Sequence, residues 1–298
     1  MVIDKIRPYM MPVAMLAGAV FYTFFSRFSY LTPYLIFVML LLTYFNISIK
    51  NLRLSKLHGW LLLIQIAGSI SLFLILKPFN IIVAQAAMIC VLAPTATSAP
   101  VITRMLKGNV ESLTTYSLLC NTAVAFCAPV IFSYTGTYQG LPFIDSFLII
   151  GKQIFLLLIL PFILALVIRK ILPVVKRKTH IFSVISFFLW SIALTLVTAK
   201  IVHFILAQSA ENYRSEVYVA ITSLIICLTQ FLTGRRIGRM YDNTIAGGQG
   251  LGQKNTVLAI WMAQTYLNPI SSLGPGTYVL WQNIVNSYQI WRKRKDLA

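Results

Sequence analysis

The chain has 298 residues, 58% of them hydrophobic and only 11% charged, with a mean hydropathy of +0.80. A soluble domain carries about 25% charged residues, so a water-surrounded fold of this length is excluded and lipid is the expected solvent. The net charge of +18 falls in short clusters between apolar runs, which argues against a nucleic-acid-binding surface and fits the positive-inside rule.

A membrane span needs about 20 mostly apolar residues. Ten such segments follow in chain order: helix 1 at 7–27, helix 2 at 31–49, helix 3 at 58–77, helix 4 at 80–106, helix 5 at 110–134, helix 6 at 150–170, helix 7 at 181–206, helix 8 at 216–234, helix 9 at 242–267 and helix 10 at 273–292. The first run has the length of a signal peptide, but it lacks a small-residue cleavage site and further apolar runs follow, so it is read as a helix. Cys90, Cys120, Cys127 and Cys227 all lie inside apolar runs and read as small buried residues rather than disulfides or metal ligands.

The basic residues test the helix count. With the N-terminus placed in the cytoplasm, nineteen Lys and Arg fall in cytoplasmic segments and four (Arg27, Lys77, Lys152 and Arg214) on the other side. Lys200 and Lys254 lie within spans. That imbalance predicts cytoplasmic N- and C-termini and an even number of helices. The Gly- and Pro-bearing loop Thr135–Phe143 then separates five helices from five. Because five is odd, the second half enters from the opposite face. Residues 1–139 and 140–298 are thus expected to be inverted repeats, a construction found in secondary transporters.

The fourth helix of each half is interrupted. Helix 4 contains Ala93-Pro94-Thr95-Ala96-Thr97-Ser98-Ala99-Pro100, and two prolines six residues apart cannot sustain a continuous ladder. Pro100 suits the first turn of a new helix. Helix 9 contains Gly247-Gly248-Gln249-Gly250-Leu251-Gly252-Gln253-Lys254-Asn255-Thr256, and its four glycines favour unwound backbone there. Non-helical backbone at membrane depth persists only where protein or a water-filled cavity satisfies it. Interruptions at corresponding positions point to a substrate site, and the new helix N-termini favour an anion.

These segments resemble the bile acid:sodium symporter family. Its Pro-Gly-Gly-Thr-Ala-Ser-Asn…Gly-Asn-Val pattern falls without a gap on Pro94-Thr95-Ala96-Thr97-Ser98-Ala99-Pro100…Gly108-Asn109-Val110. Its Glu-Thr-Gly-x-Gln-Asn-Ser motif falls on Gly250 to Thr256, and Trp-His-Asn on Trp281-Gln282-Asn283. The resemblance implies an all-α membrane protein of ten helices in a panel and a core domain, with broken helices 4 and 9 crossing in the core. It also implies a bacterial inner-membrane transporter of an organic anion such as a bile acid or pantoate. By resemblance, Thr97, Ser98, Asn255, Thr256, Gln282 and Asn283 are the candidate substrate contacts.

The chain departs from the family at the sodium-binding positions, which here hold Ala99, Pro100, Gly250 and Lys254. All seven acidic residues fall at expected helix ends or in loops, so sodium is disfavoured as a cofactor and no metal site is expected. Ionisable residues inside spans are functional candidates, and Lys254 leads them. Its ammonium is expected either to stand where the family holds sodium or to couple transport to protons by losing and regaining one. Gln253, Gln249, Gln65 and Ser117 complete the candidate ion-coupling set, while Gln65 and Asn121 serve equally well as helix–helix hydrogen-bonding groups. Lys200 and His203, near the outer end of helix 7, are expected to take no part.

The alternative reading is a proton- or ion-coupled exchanger on a related inverted-repeat fold. An intramembrane enzyme is not expected. The chain has no His-Glu-x-x-His, no paired membrane aspartates and no Gly-x-Ser-x-Gly elbow.

Overall fold

The computed structural model describes residues 2–45, 47, 52–136, 141–172, 175, 179–207 and 213–295, without the side chains of 2–8, 179, 180, 213 and 294. Among the described residues there are fourteen α-helices and no strand beyond one isolated bridge. Six helical runs are long and apolar enough to cross a membrane: Tyr22–Tyr44, Lys56–Leu76, Val110–Thr135, Phe143–Ile171, Ile181–Ala207 and Arg214–Arg239. The chain is therefore an all-helical, multi-pass membrane protein. Part of the expected 135–143 loop, the basic residues Lys50 and Lys176 to Lys178, and the acidic residues Glu211 and Asp296 lie outside the described residues.

The helices follow the expected segments with informative differences. α1 (Val2–Val20), α2 (Tyr22–Phe25) and α3 (Thr32–Tyr44) are joined by a 3-10 turn, Ser26–Leu31, where a loop between two helices is expected. α4 (Lys56–Leu76) begins at Ser55, whose backbone N–H donates to Nδ1 of His58 at 3.2 Å. α5 (Ile81–Leu92) is capped by Asn80, whose side chain accepts from the N–H groups of Ile82 and Val83. After α6 (Ala99–Met105), Asn109 caps α7 (Val110–Thr135) by accepting from Ser112.

The sixth expected helix begins earlier than the 150–170 segment, as α8 (Phe143–Leu158) followed by α9 (Leu160–Ile171). Pro161 in the first turn of α9 has no N–H for the preceding turn, which ends one helix and starts the next. Then come α10 (Thr179–Ala207), α11 (Tyr213–Arg239), α12 (Thr244–Gly252), α13 (Thr256–Tyr266), a 3-10 turn at Pro269–Ser272 and α14 (Leu273–Lys295).

The expectation that the glycines of helix 9 unwind it is corrected. Gly247, Gly248, Gly250 and Gly252 are all helical, in α12, and the break falls after them at Gln253 to Asn255. The glycines instead permit close packing. A Cβ on Gly247 would strike the carbonyl of Gly234 in α11. One on Gly250 would come within 2.9 Å of the Tyr116 ring, and one on Gly252 would enter the Phe231 ring. α11 and α12 thus lie backbone against backbone.

The chain divides into two compact units, Met1–Ile47 with Gln153–Asn212, and Ser48–Lys152 with Tyr213–Ala298. Each unit draws on both of the expected halves, 1–139 and 140–298. In the first unit α10 packs along α1 and α3, with Tyr44 on Phe162 and Phe45 on Phe182. Lys200 and His203 belong to this unit, where Lys200 Nζ lies 5.6 Å from the Phe204 ring centre. The second unit holds both broken helices. Its core joins Cys90, Val91, Cys227, Phe231 and Tyr278 on one side and Leu57, Leu61, Tyr116, Cys120 and Leu251 on the other.

Gly247→Val is expected to lower stability by about 1–3 kcal/mol, because the obstacle is backbone and cannot move aside. Gly59 in α4 has nothing within 4 Å of its would-be Cβ, so Gly59→Ala is expected to stabilise by up to about 1 kcal/mol. Thermal unfolding of the detergent-solubilised protein checks both signs.

Candidate functional site

The break between α5 and α6 can be followed one peptide group at a time. Pro94 has no N–H, so the carbonyl of Cys90 loses its helical donor; Gln230 Nε2 supplies one at 3.2 Å. Thr95 N–H turns to the sulfur of Cys120 at 3.3 Å, and the Val91 carbonyl it abandons accepts from Lys254 Nζ at 2.8 Å. Gln65 Nε2 reaches the next two carbonyls, Leu92 at 2.7 Å and Ala93 at 3.0 Å. The carbonyls of Cys90, Val91 and Leu92 at the end of α5, and of Ala93 just after it, are orphaned by the break, and each has a side-chain donor from elsewhere in the chain.

The break between α12 and α13 is resolved in the same way. The carbonyl of Gly250 accepts from Thr95 Oγ1 at 2.9 Å, and that of Gly252 from the Tyr278 hydroxyl at 2.8 Å. Gln282 on α14 closes on the backbone of Lys254 from both sides. Its Oε1 accepts from the N–H at 2.8 Å, and its Nε2 donates to the carbonyl at 3.3 Å.

The two breaks are also paired to each other. Thr95 and Lys254 form an antiparallel bridge. Ala96 N–H donates to the Gln253 carbonyl at 2.9 Å, and Asn255 N–H to the Pro94 carbonyl at 2.8 Å. The pattern is reciprocal down to the side chains of the bridged pair. Thr95 caps the carbonyl four residues before Lys254, and Lys254 caps the carbonyl four residues before Thr95. A local two-fold relation therefore links the crossing segments.

Lys254 is 1% exposed and ranks among the largest fully buried side chains. Among the described residues, its ammonium makes one hydrogen bond, to Val91, and no ion pair. Its ionisable neighbours are the thiols of Cys120 and Cys90. Of the described carboxylates, Glu111, Asp145 and Asp242 are exposed and Glu216 is half-buried at the start of α11, so none is buried at the crossing. Charge compensation comes from the C-terminal end of α5, which carries the equivalent of about half a negative charge.

The other expected residues divide into three groups. Gln65, Gln253, Asn255 and Gln282 join the crossing. Asn255 caps α13, accepting from Leu258 N–H at 3.3 Å. Gln253 donates to Ser98 Oγ at 2.9 Å, and its amide oxygen is buried with no partner among the described residues. Ser98 is exposed and Thr97 half-buried at the start of α6, while Ala99, Thr256 and Gly250 are buried and Pro100 is half-buried in the first turn of α6. Three residues are not drawn into the crossing by any described hydrogen bond. Asn283 binds the Val279 carbonyl of its own helix, Gln249 turns to Asn286 and Gln289 on α14, and Ser117 offers its carbonyl to Asn121 and Cys120. Among the described residues, no group of His, Cys, Asp or Glu is arranged to hold a metal ion.

Sequence reasoning passed over Gln230, Tyr278, Tyr116 and Thr95. Tyr116 gives its hydroxyl proton to Gln65 Oε1 at 2.6 Å and so orients the amide that caps α5. Gln230 carried a readable signal as an amide in the middle of an apolar span. The two tyrosines carried none, since a buried tyrosine is ordinary in an apolar helix. The chain matches no family model, and no curated protein matches it.

Two substitutions separate structural from functional parts. Gln65→Leu strands two carbonyls and the Tyr116 hydroxyl, at about 1–3 kcal/mol each, and is expected to unfold at a markedly lower temperature. Lys254→Met loses one hydrogen bond, about 1–3 kcal/mol with a charged donor, but relieves an ammonium desolvation of several kcal/mol. It is expected to melt no lower than the parent protein. Melting curves of the two purified variants check the contrast.

Proposed function

We propose that this protein is a secondary active transporter of an organic anion, a ten-helix member of the bile acid:sodium symporter family working by alternating access without sodium. The observation that carries the reading is the pairing of two broken helices around a fully buried ammonium with one hydrogen bond among the described residues. Ten spans result if α1, the broken pairs α5–α6 and α12–α13, and α14 are added to the six strongly apolar runs. The local two-fold relation at the crossing is what inverted halves 1–139 and 140–298 would leave there. The two compact units, one built from helices 1, 2, 6 and 7 and the other from the remaining six, correspond to a panel and a core.

In this reading Thr97 and Ser98 are the open polar groups that meet the carboxylate, with Gln253 behind Ser98. Asn255, Thr256 and Gln282 hold the crossing in shape, and Asn283 faces the substrate path. Lys254 supplies the positive charge that a bound sodium would supply elsewhere. With cytoplasmic termini, the protein belongs to a bacterial inner membrane. A second reading, a proton-coupled exchanger, is favoured because no carboxylate among the described residues pairs with Lys254, which leaves the ammonium able to release its proton.

Proteoliposome uptake of labelled organic acids tests both. Saturable uptake is expected at full rate with choline replacing sodium, and Lys254→Met is expected to reduce it at least tenfold. A strict sodium requirement contradicts the first reading. Uptake indifferent to an imposed pH gradient contradicts the second.

A further inference from the structure

A cavity of about 820 Å³ lies in the second unit between α11 and α14, with α6 and α12 at its edge. Its composition changes along its length. One end carries four cations, Arg235 and Arg239 from the last turns of α11, and Arg292 and Lys293 from the last turns of α14. Apart from Gln289, the rest of its wall is apolar and opens outward, where Leu232 is 67%, Ile284 58% and Tyr288 55% exposed. Arg239 and Arg292 are exposed, whereas Arg235 is half-buried and donates to Gln289 Oε1 at 3.3 Å.

Four like charges around one cavity repel each other, and among the described residues none of them is in an ion pair. Asp242, in the turn after α11, does not line the cavity. Such a cluster of cations attracts an anion. The apolar wall distinguishes which kind: a free phosphate has no use for exposed leucine, isoleucine and tyrosine. The cations sit at the C-terminal end of α11, a helix long and apolar enough to cross a membrane, and of α14 packed beside it. A bilayer spanned by α11 would bring those ends to its headgroups and the apolar wall to its hydrocarbon layer.

We infer that this cavity is a binding site for an anionic phospholipid, its phosphate held by Arg235, Arg239, Arg292 and Lys293 and its acyl chains laid along Leu232, Ile284 and Tyr288. The site is independent of the transport reading and requires that α11 and α14 end at the surface of a bilayer.

Native mass spectrometry of the detergent-purified full chain, titrated with dioleoyl phosphatidylglycerol or dioleoyl phosphatidylcholine, tests it. Phosphatidylglycerol is expected to bind at least tenfold more tightly. The double variant Arg239→Gln/Arg292→Gln, which touches only exposed side chains, is expected to lose that preference. Arg53→Gln/Lys56→Gln, which removes two charges elsewhere on the same unit, is expected to keep it. Leu232→Ser/Ile284→Ser is expected to weaken binding severalfold while retaining the headgroup preference. Equal binding of the two lipids, or equal loss in both charge variants, would overturn the assignment. Displacement of the lipid by millimolar inorganic phosphate would also overturn it, by showing a soluble-anion site instead.

Discussion

A peptide group unpaired inside a bilayer costs several kilocalories per mole and cannot turn to water. Two helices of this chain stop in the buried core of the second unit, where water is equally out of reach, and the side chains around them answer that need. Each break answers the other: Ala96 gives its N–H to Gln253 and Asn255 gives its N–H to Pro94. Neither segment could be unwound alone without stranding these groups. The crossing is thus a single cooperative element made from two distant stretches of chain, and the side chains that complete it come from α4, α11 and α14 as well as from the breaks themselves.

That arrangement explains how a lysine can be buried with no acidic partner among the described residues. The ammonium of Lys254 meets the negative end of α5 directly, through Val91. Gln65 and Gln230 satisfy the neighbouring carbonyls, so the charge is left one well-placed acceptor. In the reciprocal position Thr95 fills the same role with a neutral hydroxyl. The two-fold relation therefore holds for hydrogen bonds and fails for charge. A buried charge left incompletely paired is costly to folding, and its retention is understandable if an anion pairs with it, or loss of its proton neutralises it, when the protein works.

Much of this was legible in the residues, for identifiable reasons. The long apolar runs follow from the need to cover about 30 Å of hydrocarbon. The first break was legible because Pro94 removes a donor whatever surrounds it. The second was legible in place to within a few residues but not in cause. The glycines of α12 were read for conformational freedom, whereas they serve the close approach of α11, and only the positions of Gly234 and Phe231 reveal that. The lysine was conspicuous because an ammonium in an apolar span always is. Its partner was invisible, since Val91 contributes a backbone carbonyl that any residue would have offered. Tyr116 and Tyr278 were unreadable for the related reason that their hydroxyls act across long sequence separations. Arg235 and Arg292 were read as membrane-topology signals, and only the cavity they share gives them a second meaning.

The central claim is that the ammonium of Lys254 occupies the place of a bound cation, so a small cation from solution should be able to substitute for it. Chemical rescue tests this directly. Anion uptake by Lys254→Ala proteoliposomes is measured with added ammonium, methylammonium, sodium or tetramethylammonium. The account predicts that Lys254→Ala is inactive alone, that ammonium and methylammonium restore part of the uptake, and that tetramethylammonium, which has no N–H to give Val91, restores none. Full activity of Lys254→Ala without any added cation would contradict it.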